Sequence, residues 1–441
     1  MKKFYLESLG CAKNQVDSEI IISTLTETGF LYTGDAAEAE LIIVNSCGFI
    51  EKAKQESINT VISLKAAFPK SKIILAGCLA VRYAKELKES LTEADAVSDS
   101  TDPKSIAGFV NSLYNDTRHG GGDVKTQIAQ DENLGKRYIL SLKGSAYIKI
   151  ADGCDNRCSF CAIPLIRGSL RSRSISSICK EFKLFIGRNI KEINLIAQDL
   201  ASYGKDISGN CLLPELLKEL SKIEGDFWVR LLYLHPDHFP FSIIHVMKKD
   251  KRFLPYFDIP FQHASEKILK AMNRNGNAGQ YLDLIKKIRC ELPSAVIRST
   301  FLTGFPGETG DDFKMLCEFQ NEAGIDWLGV FTYSREEDTK AYSMKTRPSK
   351  KTALERKNIL ELNQIPITEK QMDRFTGKNV KALVEEVNDG LENIYLGRLF
   401  CHAPEVDGSA VIESDGNLNI GEFVDVRITG RAGFDLRVQT A

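Results

Sequence analysis

The chain has 441 residues, too many for one small core, so two or three domains are expected. A hydrophobic content of 43% and a charged content of 27% fit an ordinary globular protein, and a net charge of −1 excludes a global basic field that recruits nucleic acid. The opening Met1-Lys2-Lys3-Phe4-Tyr5-Leu6-Glu7 lacks the apolar core of a signal peptide, and no apolar run approaches the length of a membrane span. Eleven cysteines without an export signal predict a cytoplasmic protein with metal or redox chemistry rather than disulfides.

The first region alternates short apolar runs with helical patterns. Phe4 to Gly10 runs into Cys11, Leu41 to Ser46 into Cys47, and Lys72 to Gly77 into Cys78. Between them, Val16 to Thr28 carries Ile20, Ile21 and Leu25 on one face, and Glu51 to Ala67 carries Ile58, Val61, Ile62 and Leu64. Alternating β and α predicts an open parallel α/β sheet with helices on its faces. Ligands of such sheets sit beyond the carboxyl ends of the strands, where all three cysteines fall. They can therefore meet in space, although buried cysteines often serve packing alone. From Asn115 to Lys143 the pattern dissolves around Gly120-Gly121-Gly122, which predicts a linker and a boundary near residue 135.

The next strand signal, Ala146 to Ile150, leads into Asp152-Gly153-Cys154-Asp155-Asn156-Arg157-Cys158-Ser159-Phe160-Cys161. The spacing is C-x3-C-x2-C on a loop leaving a strand. A structural zinc site wants a fourth Cys or His nearby, and the next cysteine is Cys179. A redox reading of Cys158 and Cys161 leaves Cys154 unused. Three thiolates without a fourth suit a four-iron cluster with one open iron. Strands are predicted at Ala146 to Asp152, Glu192 to Gln198, Phe227 to Leu234, Tyr256 to Pro260, Val296 to Leu302 and Trp327 to Tyr333, with helices between, as in a partial (β/α) barrel. Gln198-Asp199, Gln262-His263 and Thr303-Gly304-Phe305-Pro306-Gly307-Glu308-Thr309 follow strands two, four and five, where barrel active sites lie. His263 reads equally well as a hydrogen-bonded supporting histidine. Arg167, Arg171 and Arg173 read as a solvated basic face or a contact for an acidic target.

A helical run from Lys350 to Met372 closes this region. From Asp373 onward, Val380 to Glu386, Asn393 to Arg398 and Phe423 to Ile428 read as strands of a small β-barrel. This tail holds seven basic and twelve acidic side chains, a net charge of −5, the wrong sign for an RNA reader and the right one for a basic protein partner. Glu385, Glu386 and Asp389 are its densest acidic cluster. The predicted domains are 1–135, 136–372 and 373–441.

The Cys154-Cys158-Cys161 loop, with Phe160 before the last cysteine, resembles the radical S-adenosylmethionine (SAM) superfamily. That resemblance implies that these cysteines hold a 4Fe-4S cluster whose open iron chelates the amino and carboxylate groups of SAM. It also implies that Phe160, Gln198, Gly304, Gly307 and Glu308 face the SAM site. Gly10-Cys11-Ala12-Lys13-Asn14-Gln15-Val16-Asp17-Ser18-Glu19 and Asn45-Ser46-Cys47-Gly48-Phe49-Ile50 resemble the N-terminal domain of methylthiotransferases, which implies a second 4Fe-4S cluster on Cys11, Cys47 and Cys78. The tail is similar to the TRAM domain. Asn14 to Glu19, Cys47 to Ile50 and Ala403-Pro404-Glu405-Val406-Asp407-Gly408 resemble the branch that modifies small-subunit ribosomal protein S-twelve. The implied reaction converts an aspartate β-carbon C–H into C–S–CH3, on the free protein or the assembled subunit. It needs an external electron donor and a sulfur source, and no membrane. The tRNA-modifying branch shares all six cysteines but should carry a basic tail, so direct tRNA binding is not expected. A non-catalytic iron–sulfur sensor has no use for two clusters or for the Gly304 to Thr309 segment. Catalytic side chains beyond the ligands are not identified.

Overall fold

The computed structural model describes residues 2–115, 137–388, 390 and 393–440. The Gly120-Gly121-Gly122 linker and the boundary near residue 135 lie outside the described residues, as does Asp389.

The N-terminal sheet is all parallel. Its strands β1 (Lys3–Ser8), β2 (Leu31–Tyr32), β3 (Leu41–Ser46), β4 (Lys72–Gly77) and β5 (Ala96–Val97) run in the order β2-β1-β3-β4-β5. The central strand Leu-Ile-Ile-Val-Asn-Ser is buried throughout, as expected where helices cover both faces. Helices Ala12–Glu27 and Glu51–Ala67 follow β1 and β3. Cys11, Cys47 and Cys78 stand within three residues of the ends of β1, β3 and β4. The two-residue edge strands β2 and β5 were not predicted.

The central region holds six parallel strands. In chain order they are β6 (Ser145–Lys149), then β9 (Glu192–Ile196), β10 (Trp228–Leu231), β11 (Phe253–Asp258), β12 (Val296–Thr303) and β13 (Trp327–Thr332), and spatial order follows chain order from β6 to β13. All six predicted strands are present, in an open sheet with β6 and β13 at its edges. The predicted first strand is broken at Ile150: β7 (Ala151–Asp152) peels away and pairs antiparallel with β8 (Arg171–Ser172). That departure lifts the cysteine loop off the sheet end. Phe182, Phe185, Phe227, Phe257, Phe301 and Phe319 pack one face of the sheet against the helices.

The tail forms a closed five-stranded barrel from β14 (Asn379–Val387), β15 (Ile394–Leu399), β16 (Ala410–Glu413), β17 (Phe423–Ala432) and β18 (Asp435–Thr440), in the order β14-β15-β16-β18-β17. It packs against the other face of the open sheet. The Trp228 and Phe423 rings stand 4.5 Å apart, and the Trp327 indole N–H donates to the Cys401 carbonyl at 2.8 Å. Buried Glu192 accepts from Arg230 at 3.0 and 2.9 Å and forms an ion pair with Arg398 of the tail at 2.5 Å. Removing one partner from such a buried set costs about 3–5 kcal/mol, because the remaining charge is left uncompensated.

Candidate active site: two cysteine triads joined by an arginine

Two glycines bring the N-terminal cysteines together. Gly10 has φ +97°, and a Cβ placed there would lie 2.9 Å from Cys47 Cβ and 3.1 Å from its Sγ. A Cβ on Gly48 would lie 2.8 Å from the Leu79 backbone and 3.0 Å from the Cys78 carbonyl carbon. The loops after β1, β3 and β4 thus touch, and only bare backbone lets them. Burial pushes the Cys47 thiol up to about 11, and the nearby Cys78 and Cys11 add to the rise. At Cys11 burial also works against ionisation, but Lys13, the Asn14 and Lys13 backbone N–H groups and Arg167 outweigh it and hold the thiol below its ordinary value.

The second triad sits on the loop after β7. Burial pushes Cys154 to about 11 and Cys161 to about 12, and the neighbouring thiols of the loop contribute to both shifts. All six cysteines are free thiols. Burial makes four of these partly buried thiols, Cys47, Cys78, Cys154 and Cys161, costly to ionise without a positive charge beside them, which fits metal clusters, because a coordinated metal deprotonates a thiol outright. Among the described residues no three His, Cys, Asp or Glu side chains converge tightly enough for a single metal ion. Ligands of a multi-iron cluster bind separate irons and stand further apart.

The two triads are connected. Arg167 follows the cysteine loop in the short helix Ile163–Arg167 and is buried. Its Nη2 donates to Cys78 Sγ at 3.1 Å and to Asn14 Oδ1 at 3.3 Å; its Nη1 donates to Asp17 at 2.6 Å and to Asp152 at 3.4 Å. Lys149 donates to the same two aspartates at 2.5 and 3.2 Å. The solvated basic face read from Arg167 is therefore corrected: two aspartates from different domains draw the guanidinium inward. Arg173 is likewise paired, with Glu181 at 2.5 Å, and only Arg171 is exposed. Asp17, Lys149 and Asp152 were missed as site residues. Their signal was position, since Asp17 lies six residues past Cys11 and Asp152 stands two residues before Cys154.

The residues expected to face SAM divide into two groups. Gln198 donates to Asp152 at 2.9 Å, while its Oε1 is buried without a partner. Phe160 packs edge-on against Phe305, ring centroids 6.4 Å apart. Gly307 has nothing within 4 Å of a Cβ position and so borders open space. Gly304 instead faces the helix Lys350–Asp373, where a Cβ would meet Ala353 Cβ at 2.4 Å. Glu308 is turned into its own loop: its carboxylate accepts from the Gly304 and Phe305 N–H groups at 2.6 and 3.1 Å and from Arg356 at 2.5 Å. His263 Nδ1 accepts from the Ser265 N–H at 3.0 Å, and its buried Nε2 has no partner. Burial holds this histidine neutral, down to about 4.

The tail's acidic cluster is not one surface. Glu386 is exposed, but Glu385 pairs with Arg398 at 2.7 Å. Asp407 is buried against Tyr256, whose hydroxyl donates at 2.5 Å. The net charge of −5 is therefore not all displayed to a partner, because Asp407 is paired inside the protein with Arg298 of the central region.

Residues 3–99 match a family described as uncharacterized protein family UPF0004, residues 148–319 the radical SAM superfamily, and residues 376–440 the TRAM domain. Among solved structures, the radical S-adenosylmethionine methyltransferase TsrM from Kitasatospora setae superposes with a TM-score of 0.55 at 13% identity, over 75% of each chain, a likeness of fold. The chain is 49% identical to the ribosomal protein uS12 methylthiotransferase RimO of Treponema denticola, over 97% of this chain and 98% of that one. It is 42% identical to the protein of that name from Clostridioides difficile, over 99% and 98%. It is 41% identical to that of Acetivibrio thermocellus, over 99% and 97%. With identity sustained from end to end and all three regions matched, the chain belongs to the ribosomal protein uS12 methylthiotransferase (RimO) family of radical SAM enzymes.

Proposed function

We propose that this protein transfers a methylthio group to the β-carbon of an aspartate in ribosomal protein S-twelve, working in the cytoplasm with two 4Fe-4S clusters and SAM. The observation that carries the reading is the Arg167–Cys78 contact, which ties two cysteine triads into one site. Cys154, Cys158 and Cys161 hold one cluster with an iron left for SAM, and Cys11, Cys47 and Cys78 hold the other. When bound, these groups supply an electron, a carbon radical that removes hydrogen, a sulfur atom and a methyl group. The chain supplies ligation, orientation and shelter. Gly10 and Gly48 set the spacing of the N-terminal triad. Asp152 joins Gln198, Lys149 and Arg167 in one buried network that links the two triads. Gln198 Oε1 offers an unused acceptor beside the first cluster, as an amino group of SAM requires. The substrate assignment rests on the relatives, each of which carries the uS12 name.

The test uses anaerobically reconstituted protein, SAM, a reductant and a sulfur source, with S-twelve protein or tRNA. The expected result is a gain of S plus CH2 in mass on an aspartate of S-twelve. Modification of adenosine in tRNA with S-twelve untouched would overturn the assignment.

A further inference from the structure

Lys13 is the unmatched cation of the site. It lies in the first turn of the helix Ala12–Glu27, two residues past Cys11. Its ammonium stands 3.6 Å from the centroid of the Tyr233 ring. The other cations that face this space have acid partners. Lys149 and Arg167 share Asp17 and Asp152, and Arg298 pairs with Asp258 at 3.1 Å and Asp407 at 3.5 Å. Lys13 forms no ion pair among the described residues. Its electrostatic neighbours are Tyr233, whose side chain also hydrogen-bonds with it, Cys11 and Asp258, and Asp258 is already held by Arg298.

The platform under Lys13 is held in place. Tyr233 follows β10 by two residues and has φ +72°, a conformation that costs a non-glycine residue about 1–3 kcal/mol. Its carbonyl accepts from the Leu200 N–H at 2.9 Å, and the next residue's N–H donates to the Asp258 carbonyl at 2.8 Å. The central sheet thus aims an aromatic face at a lysine of the N-terminal domain, at the carboxyl end of its strands. An ammonium in a partly dehydrated place, with an aromatic face and its nearest carboxylate already committed to Arg298, lacks a carboxylate of its own. A single cation with an acid nearby suits a singly charged carboxylate better than a run of phosphates.

We propose that Lys13 binds the side-chain carboxylate of the target aspartate, seated on the Tyr233 ring between Cys11 and the central sheet. This rests on the proposed function, since an aspartate substrate supplies the carboxylate. It makes Lys13 a specificity residue of this reaction.

The test compares holoenzyme carrying native Lys13, Lys13→Met and Lys13→Arg on S-twelve protein with its native aspartate or with asparagine at that position. Iron content and SAM cleavage without substrate are measured beside turnover. The native enzyme is expected to lose about 10- to 100-fold in kcat/KM on the asparagine substrate, the range for one charge-assisted hydrogen bond. Lys13→Met should keep its iron and SAM cleavage, fall by a similar factor on aspartate, and no longer distinguish the two substrates. Lys13→Arg should restore part of the discrimination. Undiminished discrimination in Lys13→Met overturns the inference. Loss of iron from both Lys13→Met and Lys13→Gln also overturns it, by placing the lysine in service of the cluster. Failure of the native enzyme on S-twelve is a different result: it removes the proposed function and this inference with it.

Discussion

Arg167 Nη2 stands 3.1 Å from Cys78 Sγ, although 89 residues and a domain boundary separate them. A guanidinium hydrogen bond to a ligating sulfur stabilises electron density there, so it favours the reduced cluster. The same side chain is anchored by Asp17 and Asp152, so its position reports on both domains. With the proposed cluster on Cys11, Cys47 and Cys78, Arg167→Met is expected to lower that cluster's reduction potential, with a smaller effect on the Cys154 triad, which Arg167 reaches only through Asp152 at 3.4 Å. Methylthiolation should fall about 10- to 100-fold, the usual cost of losing a partner that supports a metal ligand. Redox titration followed by electron paramagnetic resonance checks this; an unshifted N-terminal signal would refute the role.

Gly10 makes a sharper test of the N-terminal triad. Alanine there meets a left-handed backbone and a contact of 2.9 Å with Cys47 Cβ. Either the loop after β1 or the loop after β3 must retreat, and the three thiols separate. Gly10→Ala should therefore cut the iron content from about eight to about four per chain, counting four per cluster, while SAM cleavage persists. Iron analysis and SAM cleavage on the same preparation decide it.

The sequence made the strands readable because central parallel strands are continuous apolar runs, such as Leu41 to Ser46 and Val296 to Leu302. The cysteines were readable because a strand end is a known place for ligands. Edge strands of two residues carry no periodicity, so Leu31–Tyr32 and Ala96–Val97 escaped. Charged side chains were the harder case. Arg167 and Glu385 each look like solvated surface in sequence, and each is turned inward by a partner on a different element. Nothing local in a chain announces that Asp17 will meet Arg167. Lys13 was passed over for the same reason: only the fold sets Tyr233 against it.

Burial pushes Asp407 up to about 6, against the pull of Arg298 and of hydrogen bonds from Tyr256 and the Ala403 N–H. The folded protein therefore holds this proton more tightly than the unfolded chain. The stability it contributes is complete below about pH 4 and is lost as pH rises through 6. The span is about two pH units, on the order of 3 kcal/mol. Buried His402, held down to about 3, acts in the opposite sense, its share being lost as pH falls below about 6.5. Comparing the protein with Asp407→Asn cancels the histidine. The stability difference between the two should shrink from pH 4 to pH 6 and stay flat above; denaturant unfolding across that range is the measurement. A difference independent of pH would show that Asp407 keeps an ordinary carboxylate's behaviour.

Glu308 separates two ways of serving SAM. If the carboxylate touched the ligand directly, Arg356 behind it would matter little. The structure has it bound instead to the Gly304 and Phe305 N–H groups and to Arg356, with no exposed side-chain surface. Its work is then to hold the loop after β12 in shape, so that Gly307 borders open space and Phe305 packs between Phe160 and Tyr333. Glu308→Ala frees two buried N–H groups, each costing about 1–3 kcal/mol when left unsatisfied. Arg356→Met leaves a buried carboxylate without its cation, which loosens the same loop. Both variants should raise the KM for SAM by a similar factor with iron content intact. The double variant should be no worse than the weaker single, because residues that act as one unit are not additive. Measured SAM binding that collapses for Glu308→Ala but is untouched in Arg356→Met would return Glu308 to direct contact with the ligand.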